Sequence, residues 1–431
     1  MYDRLHKKNK KNVRRALFSK RYSMNSSHFT NSLFSEKVLE NYAEILFWGL
    51  ETARQNLFKP DDTILIQGHL PGLPLIKYLN KLVLKRGLNP IIRFIPPSDM
   101  ERTFYANANE NQLSFIAPGE EILMSAIQGT IYVRAPEQLT HLQDIDAEKQ
   151  NIVTRSRSFL KKIMQKRQNE KLCSWTLGTY PTSARANHAH LPLETYADKV
   201  KKACHLDDSD PLMTWKALYS QIVDTKRWLL SLDIRQIHVE SKQMDLRLSM
   251  GEHRKWLGLS GKNIPSFEIF TSPDWRTVDG TFYSDQPAYV NGNVIQDIRL
   301  TFSHGRIVKA TAETGEKFLN KRLEIDQGAS RMGEFSLTDK RFSKIDCYMA
   351  DIIFDENYGG TYGNSHIALG SSFDAAYNGN VTRLSPSQKE ALGFNDSAMH
   401  WDIINTEPKV VTVKLSSGKK QVIYENGEFN Q

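Results

Sequence analysis

The most constraining stretch of this chain lies between Thr63 and Ile95. Thr63–Gln67 is short, apolar and β-branched, the segment from about Leu73 to Lys85 repeats apolar residues at helical spacing, and Pro90–Ile95 is again apolar and extended. Strand, helix and strand within roughly thirty residues define a parallel βαβ unit, which needs helices over its sheet to cover both faces. Leu39–Phe58 precedes it with apolar positions at Leu39, Tyr42, Ala43, Leu46, Leu50, Ala53 and Leu57, a helix that Lys59-Pro60 closes. Thr130–Val133 offers another strand and Asp144–Gln168 a basic helix.

Beyond about residue 186 the pattern changes. One further helix over Asp210–Leu232 leads into short alternating segments: Ile234–Val239, Asp245–Ser249, Thr281–Ser284, Val294–Phe302, Arg306–Thr311, Val410–Leu415 and Gln421–Tyr424. In Val294–Phe302 the residues Ile298, Leu300 and Phe302 share one face and Asp297, Arg299 and Thr301 the other, as in a half-buried antiparallel strand, and Ser303-His304-Gly305 reads as its hairpin turn. A second helix is expected near 312–322. The fold class expected is therefore an α/β N-terminal domain with βαβ units and mostly parallel sheet, followed by an α+β C-terminal domain rich in antiparallel strands. The expected boundaries are 1–38 for a basic, disordered extension, 39–185 for the first domain and 186–431 for the second.

Charge excludes one large class of partner for the folded body. The net charge of +8 resides in the first 28 residues, which hold nine Lys/Arg and a single acid, Asp3, while the remainder holds 48 of each sign. Nucleic acid is not expected on a neutral body, because phosphate affinity needs bases clustered on a face or arm. The tail itself reads as a disordered extension, with a basic anchor, an organellar address or a true start at Met24 as alternatives. No run approaches eighteen apolar residues, so no membrane span is expected. Cys173, Cys204 and Cys347 lie far apart without a Cys-x-x-Cys pair. That pattern suits a reducing, cytoplasmic setting and excludes a thiolate zinc site.

Gly-x-Ser-x-Gly and His-Glu-x-x-His are both absent, which closes the α/β-hydrolase and zincin routes. Gly68 to Gly72 lacks the pattern of a phosphate-binding loop. Polar ligands gather instead in the second domain. His400-Trp401-Asp402 puts an imidazole and a carboxylate on one side of an extended segment, with Trp401 on the other. His366 stands alone in an apolar strand pattern, while Glu334 and Glu268 are each embedded among apolar neighbours, where an unpaired carboxylate is costly. These five are ligand types that suit Zn²⁺, Co²⁺ or Mn²⁺, and two ions sharing one carboxylate would use them all.

Taken together, Asn263–Thr271 (Asn-Ile-Pro-Ser-Phe-Glu-Ile-Phe-Thr), Gly328–Glu334 (Gly-Ala-Ser-Arg-Met-Gly-Glu), Asp355-Glu356-Asn357 and the His-Ile-Ala-Leu-Gly that begins at His366 resemble the metallo-aminopeptidases of the aminopeptidase T and aminopeptidase S type. The likeness spans about 39 to 431 and includes Trp175 with Tyr180-Pro181-Thr182, and Asp210-Pro211 with Trp215. It implies removal of N-terminal residues from peptides with a free N-terminus, by water activated between two divalent cations (Zn, Co, Mn or Mg). It implies that Glu268 binds one ion, that Glu334 bridges both, and that His366, His400 and Asp402 complete the pair. It further implies a homodimer whose active sites face an enclosed space. Asp355 and Glu356 are the candidates for orienting the imidazoles, and the general base is unassigned.

Two departures from the family pattern bear on activity. Consecutive glutamates are common where this chain has Phe267-Glu268, and a tyrosine is common where it has Phe373, with Tyr377 or Tyr362 as possible substitutes. Tyr358–Tyr362 is a Gly-containing insertion. Two other readings remain open on the residues alone. One is a catalytically weakened, peptidase-like binding protein; the other is a mononuclear non-haem iron oxygenase using His366, His400 and Asp402, which leaves Glu268 and Glu334 without roles.

Overall fold

The computed structural model describes residues 32–431. The basic tail and Met24 lie outside the described residues. Helix α1 (Glu36–Arg54) buries Leu39, Tyr42, Leu46 and Leu50 along one side. It ends before Lys59-Pro60, because Gln55 turns into the left-handed region at φ 63° and Arg54 pairs with Asp62 at 3.1 Å. The chain then forms β1 (Thr63–Gly68), α2 (Leu73–Lys85), β2 (Asn89–Phe94), β3 (Gly129–Arg134) and β4 (Ser174–Thr179). The four strands are parallel in the order β2-β1-β3-β4, as the βαβ pattern requires. Helix α1 packs across β4, where the Tyr42 hydroxyl both donates to the Thr179 carbonyl (3.0 Å) and accepts its N–H (2.9 Å). The expected helix at Asp144–Gln168 is two, α3 (Ala147–Ser156) and α4 (Ser158–Asn169), meeting at Arg157.

Helix α5 (Pro211–Ser231) starts at the Asp210 cap, whose carboxylate accepts the Met213 N–H. Antiparallel structure follows: β5 (Ile234–Ser241), β6 (Asp245–Ser249), β7 (Leu257–Gly258), β8 (Asn263–Ile264), β9 (Glu268–Thr271), β10 (Asp274–Ser284), β11 (Ala288–Val290), β12 (Asn293–Ile295), β13 (Ile298–Ser303), β14 (Arg306–Thr311), β15 (Met332–Thr338), β16 (Asn364–Gly370), β17 (His400–Asn405), β18 (Lys409–Leu415), β19 (Lys420–Glu425) and β20 (Glu428–Phe429). The exception is β8, which pairs parallel to β4 and completes the first sheet as its fifth strand. Eight strands form one antiparallel sheet, β14-β13-β10-β6-β5-β18-β19-β20, and five form another, β17-β16-β15-β9-β7. The fold class expected from sequence is the one observed. Val294–Phe302 is not one strand, however. Asp297 takes φ 51° and accepts the Tyr283 hydroxyl at 2.5 Å, a kink that frees β12 to pair with β11 while β13 pairs with β10.

Of these sheets, the five-stranded antiparallel one positions the candidate site. Its central strands are buried along their full length. Residues directly opposite one another in an antiparallel pair share a face. Among the described residues, no helix is long and apolar enough to cross a membrane.

Candidate metal centre

Strand register brings Glu268, Glu334, His366, His400 and Asp402 to one face of this sheet. His366 stands opposite Ser336 and Ile404, Asp402 opposite Ala368, His400 opposite Gly370, and Glu268 opposite Thr338. Glu334 joins them by alternation, two residues before Ser336 and opposite Ala368, and a bulge lies just ahead of it. Met332 pairs with Leu369 and Glu334 with Ala368, so Gly333 is an extra residue on β15. The bulge ends the regular ladder immediately before Glu334 and displaces Met332, not Glu334, from that register. A side chain at Gly333 would meet the Gly370 and Ser371 carbonyl oxygens at 2.4 Å, which is why the bulge carries glycine.

The carboxylate of Glu334 spans the cluster. Its Oε1 lies 3.4 Å from His366 Nε2 and its Oε2 lies 3.3 Å from His400 Nε2. Glu268 Oε2 approaches His366 Nε2 from the other side at 3.3 Å, and Asp402 Oδ1 approaches His400 Nε2 at 3.4 Å. Two groups of donors therefore share Glu334: one with Glu268 and His366, the other with His400 and Asp402. A third group links Glu356 with His366 and Asp402. Glu334 and His366 are almost fully buried, while the His400 side chain keeps 22% of its surface and Asp402 17%.

Electrostatics follow from this crowding. Burial raises the Glu268 carboxyl above the ordinary range, reinforced by the Glu334 charge. Burial does the same to Glu356, reinforced by Glu268 and Asp402. Burial disfavours the charged form of both histidines, but the carboxylates outweigh it: Asp402 and Glu334 carry His400 up to about 10, and Glu268 and Glu334 carry His366 well above its usual value. Burial also opposes ionisation of Asp402, yet the His400 charge holds its pKa below the ordinary range. A divalent cation is a more effective counter-charge for such a set than two protons. Four carboxylates and two imidazoles in mutual reach form a donor set of the kind zinc, cobalt or manganese accepts, so the residues present fit such an ion.

Surrounding groups orient the donors. His400 Nδ1 is 2.9 Å from the Ser371 carbonyl, which can only accept, so Nδ1 carries the proton and Nε2 faces the carboxylates. His366 Nδ1 has no hydrogen-bond partner among the described residues. The Ser266 hydroxyl donates to Glu268 at 3.3 Å and the Asn263 amide donates to Glu356 at 3.2 Å. Asp355, in the short helix α6 (Ile352–Asp355), instead accepts the Met349 and Asp351 N–H groups at 2.7 and 2.9 Å, so its oxygens serve the backbone.

The two aromatic departures fall in different environments. Phe373 lies edge-on to His400, with ring centroids 4.8 Å apart, and so borders the cluster. Tyr377 packs against His253 and Phe394, and Tyr362 is exposed. Phe267 is fully buried against Trp215, and its N–H donates to Asn357. Glu356 stands closer to the centre than the orienting role expected for it; its neighbour Asn357, which ties the 355–357 turn to the start of β9, was the available signal. Lys262, Ser371 and the bulge at Gly333 are features of the site that no residue pattern singled out.

A parallel α/β layer is thus joined to an antiparallel sheet that carries a carboxylate–histidine cluster. The pattern of the thermophilic metalloprotease (M29) family matches residues 35–429, and the chain belongs to that family. It is 25% identical over 421 residues to Aminopeptidase 2 of Geobacillus stearothermophilus, covering 91% of this chain and 98% of that protein. It is 26% identical over 267 residues to Aminopeptidase PepS of Streptococcus thermophilus, an alignment that spans 59% of this chain and 62% of that one. Its fold matches wild-type AmpT from Thermus thermophilus with a TM-score of 0.73 at 20% identity, covering 91% of this chain and 99% of the other.

Proposed function

We propose that this chain is a metal-dependent aminopeptidase with two divalent cations, held by Glu268, His366 and Glu334 on one side and by Glu334, His400 and Asp402 on the other. The observation that carries this reading is the two-sided reach of Glu334, one oxygen toward each imidazole, with a further carboxylate behind each. When bound, the cations would supply Lewis acidity and an activated water for amide hydrolysis. The protein's own part is to fix donor geometry and concentrate negative charge where a substrate's α-ammonium must enter, which favours attack at the first peptide bond. Ser371 holds His400 in the tautomer that offers Nε2 inward. Glu356, hydrogen-bonded to Asn263, adds a carboxylate beside His366 and Asp402. A single-iron site using only His366, His400 and Asp402 would leave Glu268 and Glu334 as unexplained buried charges, so the two-ion reading is preferred.

The test combines metal counting with hydrolysis of aminoacyl amides before and after chelation. Two ions per chain, activity lost on chelation and regained on metal return, and loss of both in Glu334→Ala are expected. One ion per chain, or full activity in the chelator, would overturn the reading. The homodimer that the family resemblance implies belongs to the same proposal. Light scattering at twice the chain mass supports it, and the mass of a single chain opposes it.

A further inference from the structure

Lys262 immediately precedes β8, and its backbone is fixed because its carbonyl accepts the Leu177 N–H at 2.6 Å. Its ammonium has no ion-pair partner among the described residues. It lies instead over two aromatic rings, 5.4 Å from the Trp175 centroid and 5.7 Å from that of Phe373. Burial lowers its pKa, and the nearby Asp374 is already engaged by Lys389 Nζ and the Asn169 amide, each at 2.7 Å. Such a cation, walled by apolar rings and left without an anion, is a built half of an ion pair.

Its position relative to the cluster defines what the other half would be. Phe373 borders both: its ring centroid is 5.7 Å from Lys262 Nζ and 4.8 Å from that of the His400 ring. An extended chain advances about 3.5 Å per residue, so a dipeptide with its amine among the carboxylates carries its far end roughly 7 Å away. We propose that Lys262 receives a carboxylate of the substrate located one residue past the scissile bond, either the free C-terminus of a dipeptide or an acidic side chain at that position. This rests on the aminopeptidase reading and deepens it, naming short or acidic peptides as the favoured substrate class.

The experiment uses the full, metal-loaded chain and two substrate pairs, Leu-Gly against Leu-Gly amide and Leu-Asp amide against Leu-Asn amide. Wild type is expected to favour the carboxylate member of at least one pair by about tenfold in KM, the range of a charge-assisted contact. The first pair reports the C-terminus and the second the side chain. In Lys262→Gln the ratio should collapse toward one, whereas Lys262→Arg should keep most of it. Calorimetric binding of the reduced-bond analogues of the same four compounds gives the ratio without turnover. If binding shows a Lys262-dependent preference but nothing is hydrolysed, the peptidase reading fails and the lysine's role stands. Equal binding of acid and amide by wild type in both pairs, or a preference that survives Lys262→Gln, overturns the inference.

Discussion

Phe267 and Trp215 lie face to face, with ring centroids 5.6 Å apart and planes within 9° of parallel. Both are fully buried, and His205 closes the cluster edge-on at 6.3 Å from Phe267. The residue next to Glu268 therefore serves the packing between α5 and β9. Phe267→Ala should lower unfolding free energy by about 3–5 kcal/mol in urea titrations, as expected for a large aromatic removed from a close-packed interior. Phe267→Glu should be at least as destabilising, because it buries an unpaired charge, and should bring no gain in turnover.

Gly333 packs against backbone directly beside Glu334. Gly333→Ala drives a methyl group into the Gly370 and Ser371 carbonyls, and relief must shift the backbone next to Glu334 and the Ser371 carbonyl that holds His400. Metal bound per chain, measured by elemental analysis after gel filtration, should fall below half that of wild type. Gly418→Ala, in the turn between β18 and β19 where an added methyl group meets nothing within 4 Å, serves as a control for glycine loss outside β15, and its metal content should remain at the wild-type level.

Asp351 fastens the turn that presents Glu356. It is fully buried in an ion pair with Arg185, accepts the Thr179 hydroxyl at 2.7 Å, and caps α6 through the Ile353 N–H at 3.3 Å. Asp351→Asn leaves the Arg185 charge uncompensated and should cost about 3–5 kcal/mol in chemical denaturation. Combining it with Arg185→Met should recover part of that loss, since the uncompensated charge is then gone.

Lys409 gives stability an alkaline slope. It is 3% exposed, its Nζ has no hydrogen-bond partner among the described residues, and burial pushes its pKa down to about 7 despite Asp285 and Glu407 nearby. Between about pH 7 and the ordinary lysine range the unfolded chain binds the extra proton, so the contribution of this group to stability rises with pH across that window and is flat below it. Lys409→Met should raise the melting temperature at pH 7 by a few degrees and flatten the profile between pH 7 and 10. An unchanged profile by calorimetry would show that the lysine is not the titrating group.

Much of the site was legible because metal-ligand types are scarce in apolar strands. His400 and Asp402, two residues apart, had to share a side, and embedded Glu268, Glu334 and His366 each demanded a partner. Their common face was not legible. It depends on the pairing register of β9, β15, β16 and β17, which segments widely separated in sequence do not reveal. The same limit explains the strand drawn too long through Asp297, whose kink exists because Tyr283 from another strand holds it. The helix broken at Arg157 contains neither glycine nor proline at its junction. Lys262 escaped notice because a lone lysine carries no pattern; its meaning comes from Trp175 and Phe373, far away in sequence.

Only Pro265, Ser266 and Phe267 separate β8, which finishes the parallel sheet, from β9, which opens with Glu268. The two layers are stitched together at the very point where Glu268 enters the candidate cluster. They cannot be traded between relatives as interchangeable cassettes: a splice at this seam would fall beside the carboxylate it had to preserve, and an excised C-terminal piece would take β8 from its sheet or leave Glu268 on a frayed end.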